Sequence, residues 1–214
     1  MIGFLGGTGP EGRGLAIRFA LSGEPAIIGS RDKDRAEEVA QNMRDEYGIV
    51  DILGGHNLEV AEKAEILFIT VPYSAQRELL ESIKDVVRGK ILVNTVVPLS
   101  FKDGSPYLLD TEYGSASIES QIILQDARIV SAFQTVSARD LVKVKEKMIG
   151  DVIVCSDDQD AKIEIMSKIE NISAFRALDG GMLANSRYVE SITALLLNLN
   201  LSYKTRSGIR VTGI

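Results

Sequence analysis

The residues best suited to chemistry lie near the start of the chain, in a glycine-rich stretch from Phe4 to Gly14. A short apolar run precedes this stretch and apolar residues at helical spacing follow it, so the order is strand, glycine turn, helix. This order is typical of a dinucleotide site: Gly7 allows the tight turn, Gly9 lets phosphate approach the backbone, and Gly12 lets the helix pack closely on the strand. The helix N-terminus would then present free N–H groups and its positive dipole end to the pyrophosphate.

The end of the second predicted strand, residues 25–30, indicates which dinucleotide binds. An acidic residue there would bind the ribose 2′-OH of NAD, whereas arginine and a hydroxyl accept the 2′-phosphate of NADP. Here the strand ends in Ser30 and Arg31, and Arg35 follows one helical turn later on the same face. We predict NADP. The alternatives are that both arginines are solvated and pair with neighbouring aspartates, or that Asp32 is the ribose acid of an NAD site.

Composition limits the classes of function. The 214 residues are 45 % hydrophobic and 25 % charged, with a net charge of −6. We therefore expect a soluble globular protein with no general affinity for nucleic acid, because it has no excess of cations. A single cysteine fits a reducing cytoplasm, a strand beginning at Met1 or Ile2 leaves no room for a signal peptide, and no apolar run approaches the ~18 residues of a membrane span.

Strand and helix patterns alternate along the chain, which predicts an α/β fold of the Rossmann type with a doubly wound, mostly parallel sheet. Residues 98–115 show no regular pattern and are expected to form a loop. We divide the single domain, residues 1–214, into an NADP-binding Rossmann core (1–132) and an extension (133–214). The extension should add α/β units to the sheet, end in a long helix, and form the second-substrate and dimer side. Strands are expected at 2–5, 25–30, 50–53, 65–71, 90–93, 127–132, 152–155 and 174–178. A helix is expected to begin at an N-cap at Asp32, run through residues 35–43 and end near Gly48. The other helices are expected at 15–21, 58–64, 75–87, 118–124, 141–148, 161–169 and 183–201.

Ligands of open α/β sheets bind beyond the carboxyl ends of the strands, where the strand order reverses. This rule places the segments 70–73 and 94–98 beside the cofactor. Both are small, apolar and stiffened by proline, which suits the faces of a nicotinamide ring. The pairs Gln134-Thr135 and Gly180-Gly181 end later strands and are expected to face the same cleft.

Acid–base and metal chemistry have weak signals here. No tyrosine is followed four residues later by lysine, His56 is interpreted as a turn residue, and Cys155 as a buried, inert thiol. The acidic residues at 157, 158 and 160 are interpreted as the start of a helix, so no metal site is predicted. Hydride transfer between two cofactors needs no acid–base residue, because the protein has only to hold two rings face to face and exclude water.

Over nearly its whole length the chain resembles the F420H2:NADP oxidoreductases, also called NADPH-dependent F420 reductases, of archaea and some bacteria. The resemblance rests on GGTGPEGRGLA (Gly6–Ala16), on GSR with Arg35, and on the ITVPY and VVPL segments. Its most telling part is LDGGMLANSRYVESITALLLNLN, Leu178–Asn200. It implies hydride exchange between NADP(H) and the deazaflavin coenzyme F420.

Carried over by position, the resemblance implies the pyrophosphate and ribose contacts, the 2′-phosphate contacts, the nicotinamide surroundings and a closing segment near the C-terminus. No catalytic side chain is among them. Together with the motif residues, the predicted cofactor-binding set is Gly7, Thr8, Gly9, Pro10, Glu11, Gly12, Ser30, Arg31, Arg35, Val71, Pro72, Ala75, Val97, Pro98, Ala138 and Ser207.

The last helix carries an apolar stripe of Val189, Ile192, Leu196 and Leu199. Such a stripe most often belongs to the core, but the family resemblance also implies a homodimer formed through it. Gln134 stands where we expect a histidine near the deazaflavin, and glutamine cannot carry a proton or a positive charge. Candidates for the anionic tail of F420 are Arg187, Lys204, Arg206 and Arg210, for which an ordinary solvated surface is the alternative.

Two other functions stay open at this point. One is an NADPH-dependent reductase of another acceptor, such as an imine or a flavin, and the other is a non-enzymatic NADP(H)-binding sensor. The missing acid–base pair favours the F420 enzyme over the first alternative, because carbonyl reduction usually needs a proton donor. The sensor would bind NADPH without turning it over.

Overall fold

A computed structural model of the chain describes residues 1–146, 148–172 and 175–214. The strands are β1 (Ile2–Leu5), β2 (Ala26–Ser30), β3 (Ile52–His56), β4 (Ile66–Ile69), β5 (Ile91–Asn94), β6 (Leu99–Lys102), β7 (Ser105–Leu108), β8 (Arg128–Ser131), β9 (Gly150–Val154) and β10 (Phe175–Asp179). Six of them form a parallel sheet in the order β3-β2-β1-β4-β5-β8. The order reverses between β1 and β4, which confirms the predicted doubly wound α/β fold.

Helices cover both faces of this sheet. They are α1 (Pro10–Leu21), α2 (Lys33–Tyr47), α3 (Asn57–Lys63), α4 (Tyr73–Ile83), α5 (Ala116–Ile123), α6 (Ala138–Leu141), α7 (Gln159–Asn171) and α8 (Ser186–Tyr203). Apolar residues of α1, α2 and α7 pack on one face, and those of α3, α4 and α5 on the other. The four inner strands, β2, β1, β4 and β5, are mostly apolar because both of their faces are buried. Among the described residues, every helix is too short or too polar to span a bilayer.

Capping side chains fix where several helices begin. Asp32 accepts a hydrogen bond from the backbone N–H of Arg35 at 3.2 Å and caps α2. Asp158 accepts one from the N–H of Ala161 at 2.9 Å and caps α7, which confirms its interpretation as a residue at a helix start. Cys155 is buried, as predicted, and burial raises the pKa of its thiol to about 11, which favours the protonated and less reactive form.

The segment predicted as a loop at 98–115 contains a β-hairpin, so that prediction was wrong in its first half. Strands β6 and β7 pair antiparallel around a turn in which Asp103 and Gly104 have φ values of 51° and 78°. Asp-Gly is a strong signal for a two-residue hairpin turn. The pattern was hidden because each strand has only four residues and Pro106 lies in the second.

The third strand begins two residues later than predicted and ends at His56. The Gly54-Gly55 pair therefore lies within β3 and not in a turn. Glycine is needed at position 54 because a Cβ there would overlap the backbone of Ala36 in α2. His56 is the last residue of the strand and the N-cap of α3, where its Nδ1 accepts from the N–H of Leu58 at 3.3 Å. The interpretation of His56 as a turn residue was thus wrong.

The C-terminal extension carries its own two-stranded sheet. Strands β9 and β10 are parallel to each other, and among the described residues a single antiparallel bridge, between Ser131 and Cys155, joins them to the main sheet. The helix predicted at 141–148 was wrong, because the short α6 ends at Leu141 and the described residues that follow are turns and irregular structure. Lys147 lies outside the described residues, as does Ala174 at the start of the last predicted strand.

Candidate functional site

A cleft of about 1040 Å³ lies beyond the carboxyl ends of β1, β2, β4 and β5. Its volume is at the upper end of the ordinary range for small-molecule sites. The described structure brings most of the predicted set into its lining, namely Thr8, Gly9, Pro10, Glu11, Ser30, Arg31, Arg35, Val71, Pro72, Ala75, Val97, Ala138 and Ser207. Gly7, Gly12 and Pro98 are not in the lining.

The glycines of the first turn divide into two kinds. A Cβ at Gly12 would lie 2.5 Å from the Cα of Gly7 and 2.6 Å from the Oγ1 of Thr70, so this glycine allows α1 to pack against the turn. A Cβ at Gly9 would meet nothing closer than the carbonyl oxygen of Gly6, at 3.5 Å. Gly9 therefore leaves room in the cleft that a bound ligand can use.

Two side chains, for which no such role was predicted, hold this turn in place. The Oδ1 of Asn57 accepts a hydrogen bond from the N–H of Gly6 at 3.1 Å, and the Oγ1 of Thr70 donates to the carbonyl of Leu5 at 2.8 Å. Gly6 itself has a φ of 74°, which favours glycine. The strand-end rule predicts Thr70 beside the cofactor, but it does not predict the hydrogen bond from Thr70 to the turn. Asn57 could have been found as the residue that follows a strand in the same sheet edge.

The first turn of α1 is open towards the cleft. Gly9 is the N-cap and offers no side-chain hydrogen bond, and Pro10 occupies the first helical position. Glu11 follows, with a half-buried side chain whose Oε1 is fully buried and finds no hydrogen-bond partner in the described part of the chain. Burial raises the pKa of this carboxyl to about 8. The helix start therefore combines free N–H groups with a carboxyl that is mostly neutral at pH 7.

One end of the cleft is cationic. Arg31 and Arg35 are exposed in its lining, and neither forms an ion pair with another described residue. Asp32 uses its carboxylate to cap α2 and lies outside the lining, while its N–H donates to the Oγ of Ser30 at 3.2 Å. This geometry disfavours both the pairing of the arginines with neighbouring aspartates and the use of Asp32 as a ribose acid.

The other end of the cleft is apolar. Its predicted part consists of Val71, Ala75, Val97 and Ala138. The hairpin and α8 add walls that sequence reasoning did not anticipate, because the hairpin was predicted as a loop and α8 as a dimer surface. These further residues are Leu99, Phe101, Pro106, Leu196, Leu197 and Leu201.

A buried hydrogen-bond network lies under the apolar end. The Nδ2 of Asn94 donates to Gln76 Oε1 at 2.9 Å and to Ser120 Oγ at 2.7 Å. The Nε2 of Gln134 donates to the carbonyl of Asn94 and to Ser131 Oγ, both at 2.8 Å, while its Oε1 is buried without a partner. Because the backbone carbonyl can only accept, this network fixes the orientation of the Gln134 amide.

Gln134 and Thr135 lie in the cleft lining as expected, but Gly180 and Gly181 do not. A Cβ at Gly180 would lie 2.6 Å from the Sγ of Cys155, so this glycine packs against the end of β9. The expectation for this pair was wrong because β10 belongs to the separate two-stranded sheet, whose strand ends lie away from the cleft.

The C-terminal segment closes one side of the cleft. Asn200 Oδ1 accepts from the N–H and the Oγ of Ser207, at 2.6 and 2.8 Å. Further on, the buried carboxylate of Asp151 accepts from the N–H of Val211 at 2.6 Å and pairs with Arg176 at 2.8 Å. These contacts hold the segment of Ser207 against the body of the protein.

The predicted cations for the F420 tail are not gathered at one place. Arg206 lines the cleft and pairs with Asp140, and Lys204 lines an adjoining cavity of about 620 Å³. Arg187 lies over the ring of Tyr188, 4.6 Å from its centroid. Neither Arg187 nor Arg210 is in the lining of the cleft, so the structure supports Arg206 best.

Comparison with known proteins identifies the family to which this chain belongs. A family of NADP oxidoreductases described as coenzyme F420-dependent matches residues 1–98. The F420-dependent NADP reductase of Methanothermobacter marburgensis is 39 % identical, with 100 % of this chain and 98 % of that protein covered. The corresponding protein of Methanocaldococcus jannaschii is 36 % identical over 100 % of this chain and 98 % of its own.

A solved structure shows the same fold over the whole chain. It comes from Arthrobacter sp. FB24, where it is described as a candidate F420-dependent NADP reductase, and has a TM-score of 0.85 at 24 % identity, covering 99 % of both chains. Fold similarity at this identity adds no assignment of its own, but the full-length sequence identity to the archaeal reductases does. The chain therefore belongs to the family of F420-dependent NADP oxidoreductases.

Proposed function

We propose that this protein transfers a hydride between NADP(H) and coenzyme F420, held together in the cleft without a side-chain acid or base. The observation that carries the proposal is the polarity of the cleft. An open helix start at Gly9 lies between a cationic end with Arg31 and Arg35 and an apolar end built from strand ends, the hairpin and α8. Sequence identities of 39 % and 36 % to the two archaeal reductases, over the full length of this chain, support the same pair of cofactors.

The residues at the start of α1 and at the cationic end of the cleft fit the pyrophosphate and the 2′-phosphate of NADP. Gly9 leaves space that a Cβ would fill, the first turn of α1 presents uncapped N–H groups, and Arg31, Arg35 and Ser30 are available for a 2′-phosphate. Arginine suits this role because its planar guanidinium can donate two parallel hydrogen bonds to phosphate oxygens.

The apolar end would take the two redox rings. When both cofactors are bound, the nicotinamide and the deazaflavin supply the hydride donor and acceptor themselves. The protein orients them and excludes water, tasks for which side chains such as Val71, Val97 and Leu196 are suited. Tyr73 also lines the cleft, and burial raises the pKa of its phenol, so it stays neutral at physiological pH.

The oligomer and the division of labour along the chain are part of the proposal. Val189 and Leu196 of the predicted stripe are buried within the chain, so that part of the stripe is not available as a dimer surface. Tyr188 and Leu195 of α8 are more than half exposed, and we assign the homodimer contact to this exposed side of the helix. We assign residues 1–132 to NADP binding and residues 133–214 to the second substrate and the dimer side, within one domain. A cytoplasmic location and the lack of a nucleic-acid partner stay predictions from the sequence.

The direct test is to mix purified protein, NADPH and oxidised F420 and follow the visible absorbance of the deazaflavin. We expect its loss, together with oxidation of NADPH in equal amounts. Turnover with an imine or a flavin but not with F420 would overturn the proposed acceptor. Tight NADPH binding with no turnover of any acceptor would instead support a sensor.

A further inference from the structure

Glu11 is a chemical oddity in the cofactor cleft. It occupies the second position of α1, lines the cleft, and has one carboxyl oxygen, Oε1, that is buried without a hydrogen-bond partner. None of the described residues forms an ion pair with it, and burial alone accounts for the upward shift of its pKa to about 8. The dipole at a helix N-terminus normally favours the ionised form of an acidic residue, but here desolvation outweighs that effect.

An ionised Glu11 would conflict with the ligand proposed for this place. The start of α1 is where the pyrophosphate would bind, and two like charges in a partly buried site repel each other. A protonated carboxyl has no such conflict, because it carries no charge and offers an O–H that can donate to an oxygen of the ligand.

We propose that NADP(H) binding is coupled to the protonation of Glu11, whose neutral carboxyl donates a hydrogen bond to the pyrophosphate or the adjoining ribose. The inference rests on the proposed function in so far as NADP(H) occupies the cleft. The coupled step is an uptake of one proton from solvent by the carboxylate, and no covalent bond to the cofactor changes. Above the pH at which the free protein loses this proton, each site must recover it before binding.

Other ionisable groups share the cleft or flank α1, and the test must separate them from Glu11. Arg13 belongs to the same helix, and α6, which packs against α1, carries two more. The charged or ionisable groups that line the cleft or belong to α1 and α6 are Arg13, Arg18, Arg31, Arg35, His56, Tyr73, Glu78, Arg139, Asp140 and Arg206. A Glu11→Gln variant keeps every one of them while it fixes position 11 in a neutral, hydrogen-bonding form.

The expected effect follows from the fraction of protein that carries the proton. A carboxyl with a pKa of about 8 is about 90 % protonated at pH 7 and about 10 % at pH 9. The Kd for NADPH should therefore rise about tenfold between pH 7 and pH 9. The range begins at pH 7 because a phosphate monoester has a second pKa near 6, so the 2′-phosphate is already largely a dianion there.

Isothermal titration calorimetry measures both quantities without any turnover. At pH 8, titrations in buffers of different ionisation enthalpy should show an uptake of about half a proton per NADPH bound. Glu11→Gln should bind NADPH at pH 7 about as well as the wild type, show no uptake, and keep the same Kd at pH 9. Glu78→Gln, which removes a carboxylate from the same cleft, is the matched control and should keep the wild-type pH dependence.

The outcomes separate the two proposals. A wild-type protein that binds NADPH with no proton uptake and a constant Kd overturns the role of Glu11 while NADP(H) binding stands. The same holds if Glu11→Gln keeps the wild-type pH dependence, or if it binds much more weakly at pH 7. The measurement on the wild type decides the matter even if the variant fails to fold. A wild-type protein with no affinity for NADPH at any pH refutes the proposed function itself.

Discussion

The two glycines Gly9 and Gly12 allow a sharp test of how α1 meets the cofactor, because alanine should fail at each for a different reason. At Gly12 the new Cβ would lie 2.5 Å from the Cα of Gly7, which is backbone and cannot rotate away. Such overpacking costs about 1–3 kcal/mol of unfolding free energy, which for a chain of this length lowers Tm by roughly 2–12 °C.

At Gly9 the protein has room. The nearest atom to a new Cβ is the carbonyl oxygen of Gly6 at 3.5 Å, an ordinary contact, and Gly9 has a φ of −75° that alanine adopts without strain. Alanine is a poorer N-cap than glycine but restricts the unfolded chain, and these effects oppose each other. The unfolding free energy of Gly9→Ala should therefore stay within about 1 kcal/mol of the wild type.

Binding should show the opposite order. The Cβ of Gly9→Ala would occupy space that the pyrophosphate needs to reach the N–H groups of α1. Loss of two charge-assisted hydrogen bonds costs about 3–6 kcal/mol, or roughly 10²–10⁴-fold in Kd for NADPH. Calorimetry gives the Kd, and thermal unfolding gives Tm with and without NADPH. At a hundredfold excess over Kd, NADPH stabilises the wild type by about 2.7 kcal/mol, and Gly9→Ala should lose this gain.

The result that refutes this reasoning is a folded Gly9→Ala protein that binds NADPH within threefold of the wild type. The pyrophosphate would then approach the chain elsewhere. An unchanged Tm for Gly12→Ala would in turn show that α1 can move away from the turn, against the close packing described above.

Two further predictions concern charged side chains. Arg31→Ala should weaken NADPH by about 10- to 100-fold and leave NADH unchanged, while Lys33→Ala, which pairs with Glu59 outside the cleft, should affect neither in calorimetry; equal losses for both nucleotides would refute the NADP assignment. Arg128 holds the pKa of Asp158 down at about 2, so this pair adds stability above pH 4 that is lost as the pH falls from 4 to 2. Arg128→Ala should lower the urea midpoint at pH 7 and make its decline between pH 4 and pH 2 less steep; an equally steep decline would contradict the pairing.

Sequence patterns predicted the parts of the fold that depend on local or periodic signals. Apolar runs identified the strands of the main sheet, and Asp32 and Asp158 marked two helix starts, because capping depends on residues a few positions apart. The hairpin escaped prediction because its strands are four residues long and half exposed, so that neither an apolar run nor a clear alternation is present. The Asp-Gly pair at 103–104 is the one signal in the sequence that indicates a hairpin here.

The residues of the site were likewise predictable only where local signals define them. Motif spacing and the carboxyl-end rule were enough to predict that most of these residues lie in one cleft. They could not show that Asn57 holds the glycine turn, because that contact joins residues 51 positions apart in the chain. Nor could they show that the Gly180-Gly181 pair lies elsewhere, since the pairing partner of β10 depends on tertiary structure. The unusual environment of Glu11 likewise depends on burial, which spacing does not reveal.

The side chain of Arg18 has a consequence for how this family site can vary. From the second half of α1 it donates to the carbonyl oxygens of Leu141 and Lys143 at 2.7 and 3.0 Å, and a Cβ at Gly14 would overlap Leu141. The short helix α6, which carries Ala138, is thereby held against α1, whose start faces the proposed phosphate site. We therefore expect α1 and α6 to move together. Remodelling the cleft for a bulkier or smaller acceptor would therefore act through side chains of α8 and the hairpin, such as Leu197 and Phe101, which line the cleft outside this connection between α1 and α6.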